Sequence, residues 1–256
     1  MLTKQMWIRR NVTIAIYRRI CGGTPTDPKL IDGWLKRNMP KLSDEERAKM
    51  VDQTLAELGT DALEKAKIDG MWTCFKKNDS GIYIEGRQVK SMLKEAANVL
   101  RDLLMQDEAA ARKAKKAAAP APTPAEKEAK EAKSRFVNLR SRVAERLHVE
   151  EHALYFWRDG KRLLQPDGFE ERAIHVIGPQ GPRNALKRED YVEAPAEVRF
   201  TLRWLNDGVV DDELIRDFFQ YAEWNGLGAS RSQDNGKFAL MSIEEIAPAE
   251  KTIKAA

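Results

Sequence analysis

The residues of this 256-residue chain best suited to chemistry are glycines and cations set side by side. In Gly226-Leu-Gly-Ala-Ser-Arg-Ser-Gln-Asp-Asn-Gly-Lys-Phe238, three glycines (Gly226, Gly228 and Gly236) accompany Arg231 and Lys237. Glycine admits positive φ and close backbone approach, and successive exposed N–H groups in such a turn form a concavity for anions. That chemistry suits a phosphate. A structural reading stands beside it, in which Gly226 only caps a helix and Gly236 only turns a hairpin. Arg87 and Lys90 fall in the first turn of a long helical pattern, where cations oppose the helix dipole. An anion bound at that terminus gives them a reason.

Other chemistries find less support. The three histidines are His148, His152 and His175. His148 and His152 have the i,i+4 spacing of a metal pair on a helix, but Val149-Glu150-Glu151 between them breaks the His-Glu-x-x-His order of zinc hydrolases. No carboxylate pair is singled out, and Gly22-Gly-Thr-Pro-Thr-Asp-Pro28 lacks the Gly-Lys-Ser/Thr that closes a P-loop. Cys21 and Cys74 have neither metal-ligand spacing nor disulfide density, and read as buried apolar residues. The expectation is a protein without catalysis, metal or cofactor.

The elements that must position the cations follow from periodicity. Met6 to Tyr17 alternates apolar and polar residues, the period of a strand with one buried face. Asp27-Pro28 opens a helix whose face is Leu30, Ile31, Trp34 and Leu35. Ser43 to Glu46 is a capping box for a helix ending near Leu58, and 61–67 predicts a short one. Trp72 to Lys76 and Ile82 to Ile84 flank the turn Asn78-Asp-Ser-Gly81. Val89, Met92, Leu93, Ala96, Leu100, Leu103 and Leu104 stripe the long helix. Residues 107–134, rich in Ala, Lys, Glu and Pro, predict a helix extension fraying into a linker. Arg135 to Leu139 is open between helix and strand. A hairpin turns at Arg158-Asp-Gly160, Ala173 to Ile177 predicts a strand, and 178–183 predicts an irregular loop leading to Arg183, Lys187 and Arg188. Val198 to Trp204 predicts a strand with one apolar and one cationic face. A helix from Asp211 buries Leu214, Ile215, Phe218, Phe219 and Ala222, and the glycine loop leads from it into a last strand, Phe238 to Ile243. Stripped of insertions, this is strand-helix-strand twice, an α+β, ferredoxin-like pattern.

Composition sets the limits. Hydrophobic residues make up 42% and charged residues 33%, with a net charge of +4, so polyanion binding must come from local clustering of cations. The first ten residues lack the apolar run of a signal peptide, and no apolar stretch approaches the ~20 residues that span a bilayer. A soluble, cytoplasmic protein without membrane contact is expected.

Three segments carry a family resemblance. Gly226–Phe238 resembles the C-terminal glycine-rich loop of the RAMP superfamily, the CRISPR-associated RNA-binding proteins built on modified RNA-recognition-motif folds. Ile84-Glu-Gly-Arg-Gln-Val-Lys-Ser-Met-Leu-Lys94 is similar to that group's glycine and spacer before a lysine-bearing helix. Gly22–Pro28 with the first strand, and Gly178-Pro-Gln-Gly-Pro-Arg183, look like phage and prophage proteins of this type. Gln233-Asp234-Asn235 departs from the expected Gly/Tyr-rich centre. The resemblance implies a core split between 1–106, with a helical insertion, and 135–246, with a hairpin insertion, joined by the 107–134 linker and followed by a 247–256 tail. It further implies a non-catalytic backbone subunit that grips single-stranded RNA or DNA and assembles side by side as a homo-oligomer or with CRISPR effector subunits, in a bacterial host cytoplasm if phage-encoded. Arg87, Lys90 and Lys94 would then meet phosphates together with Gly226, Gly228, Arg231, Gly236 and Lys237, while Arg183 and Lys187 project like a thumb. Trp7, Tyr17 and Trp72 are the candidates for base stacking. The alternatives are a phage-borne mimic that blocks effector assembly, and a metal-independent endoribonuclease using a histidine.

Overall fold

Alternation of apolar and polar residues builds β1 (Trp7–Ile16) as expected, with Val12, Ile14 and Ile16 buried. The computed structural model describes residues 5–59, 72–118, 134–178 and 181–246. The turn after β1 contains two short strands, β2 (Ile20–Cys21) and β3 (Thr24–Pro25). Asp27 caps α1 (Pro28–Asn38) by accepting from the Lys29 N–H at 2.8 Å. Ile31 and Leu35 are buried there, but Leu30 and Trp34 are half exposed, because among the described residues the partners of α1 are α2 (Asp44–Ala56), β3 and β4 (Trp72–Cys74), around a small satellite core. The Ser43/Glu46 capping box of α2 is formed on both sides. The short helix expected at 61–67 lies outside the described residues.

β5 (Lys76–Asn78) and β6 (Gly81–Glu85) make the expected hairpin, while β4 joins a different sheet. α3 (Gly86–Ala118) then runs 33 residues, roughly 50 Å at 1.5 Å per residue, and buries Val89, Met92, Leu93, Ala96 and Ala97. Leu103 points outward instead. Helix continues through 107–118, and the proline-rich 119–133 lies outside the described residues. A turn and α4 (Leu139–Arg146) settle the open choice at Arg135 to Leu139, burying Phe136, Leu139 and Val143.

β7 (Leu147–Val149) precedes the hairpin of β8 (Ala153–Arg158) and β9 (Lys161–Arg162). β10 (Gly168–Gly178) and β11 (Gly181–Val192) pair along their whole length, so the irregular loop expected at 178–183 is corrected to the tip of a long hairpin. Gly181, at φ +96°, supplies the turn. Pro182 is tolerated because β11 pairs with β4 at 188–189 and with β2 at 191–192, so among the described residues no strand takes its outer edge near the tip. β12 (Ala196–Leu205), α5 (Asp212–Asn225) and β13 (Phe238–Glu245) complete the chain, with all five apolar residues expected for α5 buried.

The class is α+β. One sheet has the order β13-β1-β12-β8-β6-β5, antiparallel throughout, with β7 beside β12 and β9 beside β8. The second has the order β10-β11-β4-β3, with β2 on β11, and only its β11–β4 pairing is parallel. α3 and α5 cover one face of the first sheet, sharing a core with Ile14, Phe156, Phe200, Leu202 and Trp204. Among the described residues no helix packs on the other, open face. Among the described residues no helix is long and apolar enough to cross a membrane.

Candidate nucleic-acid interface

The glycine loop folds inward on its own polar groups. Gly226 is the C-cap of α5, its N–H bonded to the Ala222 carbonyl at 2.8 Å. The N–H of Leu227 bonds Gly236, that of Ala229 bonds Cys21, and that of Gly236 bonds Arg19, at 2.9, 3.0 and 2.6 Å. These donors close the loop on itself and hold it against Arg19 and Cys21 rather than facing a ligand. Gly236 has φ +73°, and a Cβ there would overlap the Leu227 carbonyl. Its absence of side chain is a packing requirement.

The loop's cations are likewise engaged. Arg231 pairs with Glu95 of α3 at 3.0 Å, and Lys237 donates to the Trp224 carbonyl at the end of α5 and faces Asp234. Lys187 of β11 reaches Glu189 at 2.6 Å and the Ser230 hydroxyl at 3.2 Å. Arg172 donates to the same two partners, and Ser230 in turn donates to Glu189. Arg87 is mostly exposed and forks onto the buried Glu85. Burial alone would raise the Glu85 carboxyl, but Arg87 and Lys76 hold it below its usual value. Arg87 and Arg231 line one cleft of about 380 Å³ with Gln88, Ser91 and Glu95. Lys90 is not in it: it turns to His148 on β7, with Lys94 one turn further along α3. Arg183 lies opposite Val176 near the hairpin tip, where no side chain is described.

Strand alternation puts a different set of residues on the open face. The inward residues of β12 are Val198, Phe200, Leu202 and Trp204, so Arg199 and Arg203 point outward, and Tyr155 and Trp157 do the same on β8. The Arg203 guanidinium lies 5.2 Å from the Trp7 ring centre, and Arg199 lies 5.2 Å from that of Trp157. Arg162 covers Trp157 at 5.0 Å and Tyr155 at 4.3 Å. The result is a row of aromatic rings interleaved with guanidinium groups. Arg9 and Arg203 sit directly opposite across β1 and β12, a like-charge register relieved where Glu150 takes Arg9 in a two-pronged pair at 2.8 and 2.6 Å. That hydrogen bond is the main reason the Glu150 carboxyl is held below its usual value.

Of the aromatics nominated from sequence, Trp7 is on this row, whereas Trp72 is buried under Arg188 and Phe169 in the second sheet. Trp157, Tyr155, Arg162 and Arg199 were missed. The signal was available in part, since the apolar and cationic faces of Val198–Trp204 were legible, but which strands neighbour β12 was not. His148 and His152 lie on β7 and in the link to β8, so their i,i+4 spacing is not a helical pair.

No family model matches the chain, and no curated protein matches it. It is similar to one chain of the solved structure "Cryo-EM structure of the Type III-B Cmr-beta bound to cognate target RNA", at 14% identity and a TM-score of 0.41, over 94% of this chain and 61% of that one. This chain therefore spans less than two thirds of that neighbour's length, and the likeness is too coarse to carry a shared fold.

Proposed function

We propose that the protein is a non-catalytic single-stranded nucleic-acid binder of the CRISPR backbone-subunit type, with the strand lying across the open face of the first sheet. The row Trp7/Arg203, Trp157/Arg199/Arg162 and Tyr155 is the observation that carries this reading. Bases stack on aromatic and guanidinium planes for ~1–3 kcal/mol each without regard to sequence, and the same guanidinium groups attract phosphates. The order β13-β1-β12-β8, with α3 in the chain between β1 and β8 and α5 between β12 and β13, supports a ferredoxin-like core. Gly226–Phe238 supports the RAMP-type resemblance.

Anisotropy of labelled 12-nucleotide single strands and a duplex, at 50 and 200 mM salt, tests the reading. Salt-sensitive binding of single strands is expected, weakened at least tenfold by Trp157→Ala. Absence of binding transfers the open face to a protein partner, a reading that the local pairing of Arg231, Lys187 and Lys237 favours. Cleaved RNA would overturn the non-catalytic assignment.

A further inference from the structure

At one end of the Arg–aromatic row, His148 stands among cations that outnumber the acids beside them among the described residues. Lys90 Nζ lies 3.4 Å from His148 Nδ1, and His148 Nε2 lies 3.2 Å from the Glu145 carbonyl. An ammonium only donates and a carbonyl only accepts, so the neutral Nε2–H tautomer satisfies both contacts. The ring is edge-on to Trp7, with centroids 5.8 Å apart.

The charges facing this imidazole come from every neighbouring element. α3 brings Lys90, itself pressed by Lys94, β12 brings Arg203, and β1 brings Arg9. The acids are already committed, Glu150 to Arg9 at 2.6 Å and Glu145 to Arg146 at 3.0 Å. Among the described residues no carboxylate lies within ion-pair distance of Lys90 or Lys94, and Arg203 feels Glu150 only from beyond that distance. Like charges crowded without a counter-ion disfavour one another, and an anion relieves them. A cavity of about 520 Å³, walled by Trp7, Arg9, His148, Glu150 and Arg203, opens beside the ring and leaves room for a strand.

We propose that His148 and Lys90 form a proton-operated phosphate subsite: the neutral imidazole holds Lys90 on its Nδ1, and the imidazolium joins Lys90 in gripping a phosphate of the bound strand. The inference rests on the nucleic-acid reading of the open face and adds its regulation. Protonation converts Nδ1 from acceptor to donor, so it releases Lys90, and a phosphate oxygen between the two nitrogens then serves both. In the free protein burial first, then the charges of Lys90 and Arg203, push the His148 pKa down, and burial with Lys94 lowers that of Lys90. A bound phosphate reverses the electrostatic part, so binding takes up a proton.

The test titrates wild type and His148→Gln with a labelled 12-nucleotide strand at pH 7.5 and 5.5 over a range of salt. Wild type is expected to bind about tenfold tighter at pH 5.5, the worth of one modest charge-assisted hydrogen bond. Its log–log salt slope should steepen by about 0.7, the value for one further phosphate contact on a single strand. His148→Gln should lose both responses. In parallel, NMR of the wild type should show the His148 pKa rising when the strand is added, a readout that stands even if the variant does not fold. Equal pH responses in the two proteins, or a His148 pKa unmoved by the strand, overturns the proposal and leaves the nucleic-acid reading in place. No binding at either pH removes both.

Discussion

Glu189 is only 4% exposed, yet it carries a charge that Arg172, Lys187 and the Ser230 hydroxyl surround. Removing one member of a buried ionic cluster leaves the others uncompensated, at about 3–5 kcal/mol. Glu189→Leu should therefore lower urea stability by about that amount and loosen the glycine loop from the β10–β11 hairpin. Asp167 offers a pH test. Arg158 grips both its oxygens at 2.7 Å, and these hydrogen bonds are the chief reason its pKa is lowered in the fold. A carboxylate with a folded pKa below its unfolded value of 3.8 adds stability that is complete above 3.8 and is lost as pH falls through the folded value. Asp167→Asn should thus lower Tm at pH 7, with the difference from wild type shrinking as the pH falls below 3.8 and through the folded value. His148 acts in another window. Its folded pKa lies below the unfolded 6.5, so stability is lost as pH falls from 6.5 through the folded value, and an added oligonucleotide should restore part of it.

Glycines test the elements. Gly160 and Gly236 share φ +73°, but a Cβ at Gly160 meets open space while one at Gly236 overlaps backbone. Gly160→Ala should cost about 1 kcal/mol from the left-handed backbone alone, and Gly236→Ala distinctly more, read as the difference between their urea midpoints. Helices and hairpins were legible because their signals are local: the Asp27 cap, the Ser43 box, the helix start at Asp211 and the Asp159-Gly160 turn all stand where residue type placed them. The 178–183 segment misled because glycine and proline mark a hairpin tip as readily as a loop. Lys90 misled for a rotational reason. On a helix at 100° per residue, Arg87 and Gln88 can face the glycine loop while Lys90 faces β7, and the sequence does not say which neighbour lies on which side. The row on the open face depends on β8 lying beside β12, a long-range pairing without local signature.

At the scale of the whole molecule, two cationic regions compete for the role of binding surface. Around the glycine loop each described cation is matched by an acid, so bringing in a phosphate means displacing Glu95 or Glu189. On the open face Arg199 is bridged to Glu197 at 2.7 Å, but Arg203, over the Trp7 ring, has no carboxylate within ion-pair distance among the described residues. Arg199→Glu with Arg203→Glu should accordingly weaken oligonucleotide binding more than Arg231→Glu with Lys187→Glu, by at least tenfold in the ratio of Kd values, with a shallower salt slope in the first variant only. The seam between the two sheets has a consequence of its own. The Ala229 N–H bonds the Cys21 carbonyl, and the thiol beneath is buried and raised to about 11, first by its removal from water. Such a sulfur does not alkylate while the seam is shut, so the rate at which Cys21 takes up iodoacetamide in a Cys74→Ser background becomes a clock that counts each lifting of the loop.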